Sequence, residues 1–100
     1  MFVHHVYFWM NPDATDADRQ KLAAGIRSLA TIETIKMSHL GTPADTHRSV
    51  IDRSYDFSWL AIFDTPEDEE VYQKHPVHLK FVEDCRQLWQ RVVVYDAIDR

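Results

Sequence analysis

Residues 72 to 81 read YQKHPVHLKF and set Tyr72, His75 and His78 close together around Pro76. A neutral imidazole accepts a proton near neutral pH, whereas a phenol keeps its own and donates a hydrogen bond to a carbonyl or enolate oxygen. The chemistry that suits such a pair is removal of a proton next to a carbonyl. The same residues also serve other ends. His75 and His78, three apart, with His5 or His4, are a start on a zinc site. Pro76 breaks their shared face, however, and no further ligand stands at a metal-like spacing, so no metal is expected. Buried histidines and tyrosines are also commonly hydrogen-bonded packing residues, and that alternative stays open.

What positions these side chains is a pair of helices. Thr65 caps the first, Pro66 takes its first position, and Glu67 and Asp68 meet the positive end of its dipole. It ends near Lys74, because Pro76 pushes His75 out of helical geometry and leaves it at the junction. Tyr72 therefore comes from the last turn. Pro76 opens the second helix, expected to run to about Gln90, with an apolar stripe of Val82, Cys85, Leu88 and Trp89. Four residues before Val82 stands His78, on the inward stripe, while Lys80, Glu83, Asp84 and Arg86 face away. In the first turn both the dipole and burial oppose imidazolium, which keeps His78 neutral. His5 shares a strand face with Tyr7 and Trp9. If helices cover that face, His5 points into the same interior as Tyr72 and His78. Tyr7, Trp9, Trp59 and His75 are then the expected lining for a flat organic ligand, although the tryptophans are chiefly packing residues. His39 reads as strand-exposed, His47 as a loop residue and Cys85 as core.

Strands are expected at 2 to 9, 33 to 40, 55 to 63 and 92 to 98. A helix capped by Thr15 or Asp16 carries Leu22, Ile26 and Leu29 on one face. Residues 42 to 54 are polar and aperiodic, a mobile loop in a position to gate a pocket. The order β-α-β-β-α-β is that of an α+β, ferredoxin-like domain, one four-stranded antiparallel sheet with helices on a single face. Such a sheet alternates apolar and polar residues when its second face is wet. Here both faces are apolar: Val6, Phe8, Leu60 and Ile62 would each forfeit roughly 1.5–3 kcal/mol if left in water. A second copy packed sheet to sheet removes that cost, so a symmetric homodimer is expected. A monomer offering the patch to another partner is the alternative.

One hundred residues, 45% apolar and 12% aromatic, make a single globular domain spanning 1–100. A net charge of −5 without a basic cluster argues against nucleic acid as a partner. No apolar run is long enough to span a membrane, and the start MFVHHVYFW lacks the layout of a signal peptide. With Cys85 alone there is no disulfide framework, and a cytoplasmic location is expected. Two glycines, Gly25 and Gly41, exclude phosphate-cradling loops and dinucleotide fingerprints.

The segments HHVYFW, LAIFDTPEDEEVYQKHPVHLKFV and VVVYD, with Y-x-x-H-P-x-H from Tyr72 to His78 as the specific element, resemble the stress-responsive A/B barrel (Dabb) family. The resemblance spans 3 to 98 and implies a dimeric α+β barrel with a cavity between helices and sheet in each subunit. Some plant members are polyketide cyclases. In those, residues matching His78 and Tyr72 act as base and carbonyl-positioning donor, and a histidine matching His5 supports them. The implied activity is cofactor-free acid–base chemistry on a small apolar carbonyl compound, with Tyr7 and Trp9 narrowing the pocket. Many members have no assigned reaction, so a non-catalytic stress-associated dimer with structural histidines stands beside it.

Overall fold

A computed structural model describes residues 1–100. The chain forms β1 (Phe2–Met10), α1 (Asp16–Ser28), β2 (Met37–Gly41), β3 (Phe57–Phe63), α2 (Pro66–Lys74), α3 (Pro76–Cys85) and β4 (Trp89–Ile98), with short 3-10 turns at Leu29–Thr31 and Arg86–Leu88. All pairings are antiparallel, in the order β2-β3-β1-β4, the ferredoxin-like sheet expected from the order of elements. No helix is long and apolar enough to cross a membrane.

Local chemistry sets the helix ends. Thr15 accepts from the Asp18 N–H while Asp18 accepts from the Thr15 N–H, a reciprocal cap on α1. Thr65 caps α2 ahead of Pro66. His75 adopts ψ 139°, which stops α2, and its Nδ1 accepts from the Val77 N–H to start α3. That α2–α3 break is the consequence of Pro76. Several expected boundaries differ: β3 starts at Phe57 rather than 55, and β4 at Trp89 rather than 92. The last helix ends at Cys85 rather than near Gln90, and Trp89 is already a strand residue stacked on Phe81 (centroids 5.8 Å apart). The second strand starts at Met37, not 33.

The sheet has two unlike faces. Under the helices lie His4, Val6, Phe8 and Met10 from β1, all buried, opposite Phe57, Trp59, Ala61 and Phe63 from β3. Leu22, Ile26 and Leu29 from α1 and the turn after it, with Phe81 and Cys85 from α3, complete this core. Val3, His5, Tyr7 and Trp9 point the other way, with Ser58, Leu60 and Ile62. The β1 assignment made from sequence is thereby reversed: Val6 and Phe8 are covered, and the open face is carried by Val3, Leu60 and Ile62 with three amphipathic aromatic or histidine side chains. Loop 42–56 crosses to this open side. Tyr55 meets Tyr7 edge to face at 4.9 Å, and Trp9 Nε1 donates to Ser54 Oγ at 3.2 Å. The loop is therefore not placed to gate the helix side.

Packing between α1 and α3 depends on Gly25, where an added Cβ would fall 2.7 Å from Cys85 Sγ and 3.1 Å from Phe81 Cδ1. Ala would gain about 1 kcal/mol of helix propensity but meet an overpacking cost of about 1–3 kcal/mol. Gly25→Ala is expected to lower stability by about 1 kcal/mol in urea denaturation, and a stabilised variant would contradict this packing.

Candidate functional site

Between α2, α3 and the sheet lies a cavity of about 180 Å³ that runs towards the β4 edge. Its wall is largely apolar: Val6 and Phe8 from β1, Trp59 from β3, Phe81 and Val82 from α3, Trp89, Val92 and Val94 from β4. Its polar side chains include Tyr72, His78 and His4.

Tyr72 is buried in the last part of α2. Trp59 Nε1 donates to its Oη at 3.0 Å, which fixes the ring and leaves the phenol proton to donate elsewhere. Burial pushes its pKa well above the ordinary phenol value; the Trp59 hydrogen bond opposes that, and nearby Glu69 adds to it. The hydroxyl is a permanent donor. His78, at the third position of α3, packs edge to face on Tyr72 with centroids 4.8 Å apart. Burial, and secondarily His4, hold its pKa below the ordinary imidazole value, so the ring is neutral at pH 7. Its Nδ1 is buried without a hydrogen-bond partner.

The third member is His4, not the expected His5. The His4 ring lies 5.7 Å from that of Tyr72, and its Nδ1 is 2.7 Å from Asp96 Oδ1 on β4. A carboxylate only accepts, so Nδ1 carries the proton and the tautomer is set. Glu69 approaches the same nitrogen at 4.0 Å while accepting from Gln73 Nε2 at 2.7 Å. Sequence reasoning missed His4 as a site residue and Asp96 altogether. Asp96 lies 92 positions from its partner, with no local signal.

His5 sits across the sheet, where its Nε2 meets Ser58 Oγ at 2.9 Å and its ring stacks on Tyr7 at 4.5 Å. Burial, then His39 and His4, lower its pKa. Of the expected lining residues only Trp59 borders the cavity. Tyr7 and Trp9 are on the open face and do not narrow it, because alternate strand residues point to opposite sides. His75 caps α3 and faces Glu33 at 3.3 Å, away from the cavity. No three His, Cys, Asp or Glu side chains converge on a point suited to a metal ion.

The family model of the stress-responsive A/B barrel (Dabb) domain matches residues 2–99. The chain belongs to the Dabb family. No curated protein matches the sequence. Among solved structures, this Dabb chain is similar to the hydroxynitrile lyase of Passiflora edulis, with 20% identity, a TM-score of 0.80 and coverage of 99% of this chain and 93% of that one. A Dabb family protein of Mesorhizobium loti with a ferredoxin-like fold has 19% identity, a TM-score of 0.79 and coverage of 99% and 96%. A dimeric ferredoxin-like protein of unknown function from Thermobifida fusca has 21% identity, a TM-score of 0.77 and coverage of 96% and 88%. At these identities the likeness is one of fold.

Because His78 and His5 both have lowered pKa values, the unfolded chain binds more protons than the folded one in mild acid. Their unfavourable effect is therefore absent above the ordinary histidine value of about 6.5 and grows as pH falls below it. Denaturation midpoints should drop from about pH 7.5 to 5.5, and His78→Gln or His5→Gln should each shrink that drop. An unchanged drop in both variants would contradict the buried neutral rings.

Proposed function

We propose that this Dabb chain acts as a homodimer whose helix-side cavity binds a small, mainly apolar carbonyl compound and moves a proton on it without a cofactor. His78 takes the proton α to the carbonyl, Tyr72 donates to the developing enolate oxygen, and His4, held by Asp96, orients the pair. The observation that carries this is the edge-to-face contact of the neutral His78 ring with a phenol whose proton is free, both on the wall of one cavity. Trp59 donating into Tyr72 also strengthens the phenol as a donor.

The cavity bounds the ligand. An apolar cavity of about 150 Å³ holds a benzene ring. At about 180 Å³ this one holds a single-ring or short aliphatic carbonyl. The likeness in fold to a hydroxynitrile lyase agrees with a small carbonyl or its adduct as ligand. The homodimer rests on the open face, where Met37 is 54% and Tyr95 65% exposed beside Leu60 and Ile62, and on the dimeric state of similar ferredoxin-like proteins.

A second reading, a non-catalytic dimer with structural histidines, is favoured by the Trp59–Tyr72 bond and the edge-to-face packing of His4 and His78 on Tyr72. Exchange of the α-protons of acetophenone for deuterium, followed by NMR in D2O, separates the two. Exchange should exceed the buffer rate and fall about 10²- to 10⁴-fold in His78→Ala, with a smaller loss in Tyr72→Phe. Wild-type exchange at the buffer rate, or a rate indifferent to His78, would contradict the acid–base reading and favour the structural one.

A further inference from the structure

The helix-side cavity is flanked by charge of one sign. No lysine or arginine lines it. Lys74 of α2 and Lys80 of α3 are exposed and paired with Glu70 and Asp84. Two carboxylates, by contrast, reach the wall residue His4: Asp96 Oδ1 lies 2.7 Å and Glu69 Oε2 4.0 Å from its Nδ1. Resting on the reading of this cavity as a carbonyl site, we propose that Glu69 is a specificity-determining residue. With Asp96 it shuts out carbonyl compounds that bear a carboxylate and reserves the cavity for uncharged ones.

Helix formation alone does not account for where Glu69 sits. The first turn of α2 holds Glu67, Asp68 and Glu69, and a carboxylate there favours the helix dipole from an exposed position. Glu67 and Glu70 are exposed, whereas the Glu69 side chain is only 15% exposed. Its Oε2 accepts from Gln73 Nε2 at 2.7 Å, and Gln73 itself lines the cavity. A neutral amide steadies the carboxylate without cancelling its charge. Even a charged His4 would balance only one of the two carboxylates.

The charge of Glu69 is felt inside the cavity, since it helps to raise the pKa of the Tyr72 phenol. A ligand carboxylate would meet it between apolar walls that include Trp59, Phe81 and Trp89. Like charges repel more strongly there than in water. A buried carboxylate also needs a cationic partner, and no lysine or arginine is at hand. Selection of this kind works by repulsion rather than by an added contact. Ketones and aldehydes without charge pass, and keto acids of the same size do not.

Levulinate and 5-methyl-2-hexanone share a methyl ketone end and match in heavy-atom count, but one carries a carboxylate where the other carries an isopropyl group. Ligand-observed NMR titration of the full chain gives both affinities without turnover. The neutral ketone should bind at least about tenfold more tightly than levulinate. An apolar wall alone would also disfavour levulinate, and Glu69→Gln separates the two causes because it keeps the side-chain shape. That variant should narrow the ratio about fivefold or more, whereas Glu69→Asp keeps it. A ratio unchanged in Glu69→Gln, equal binding of the two ketones to the wild type, or no binding of 5-methyl-2-hexanone would overturn the proposal. Acetophenone exchange at the buffer rate, with the ratio still moved by Glu69→Gln, would remove the acid–base reading and leave the charge selection standing.

Discussion

The register of β1 in the centre of the sheet is the constraint on which the rest depends. Phe8 stands opposite Phe57, Val6 opposite Trp59 and His4 opposite Ala61, while on the other side His4 faces Asp96. A shift of one residue would turn every β1 side chain to the opposite face. Val6, Phe8 and Met10 would leave the core, a loss of roughly 1.5–3 kcal/mol for each large side chain, and the polar ends of Tyr7 and Trp9 would be buried. Specific bonds pin the register as well. Asp56 N–H donates to the Phe8 carbonyl at 2.8 Å, and its side chain accepts from the Met10 N–H at 2.7 Å.

From that register the two sides of the sheet acquire different chemistry. Helix-side alternation delivers His4 to the cavity next to Tyr72, and the Pro76 break turns α3 so that His78 returns onto the same ring. Trp59 from β3, Asp96 from β4, Tyr72 from α2 and His78 from α3 thus meet through β1. A cavity built from so many elements exists only in the complete fold. The opposite side collects the residues that combine an aromatic body with a polar tip, and loop 42–56 folds against them. Amphipathic aromatics favour such half-covered places.

Local signals in the sequence were legible: Thr15 and Thr65 as caps, Pro66 as a helix start, Pro76 as a break, and the inward turn of His78. The element order followed from them. The choice between His4 and His5 was not, because adjacent strand residues differ only in parity and both β1 faces are apolar. One cue bears on it: with one histidine on each face, Tyr7 and Trp9 carry polar groups whereas Val6, Phe8 and Met10 carry none, and a dry core favours the second set. Trp89 was misplaced because its apolar spacing continues the α3 stripe across the 3-10 turn into β4. Asp96 and the landing side of loop 42–56 depend on long-range pairing, which no local pattern encodes.

Nuclear Overhauser contacts among aromatic ring protons test this parity most directly. The account predicts contacts from the His4 ring to the Tyr72 ring and from the His5 ring to the Tyr7 ring, the centroid separations being 5.7 Å and 4.5 Å. Contacts from His5 to Tyr72, with none from His4, would contradict it.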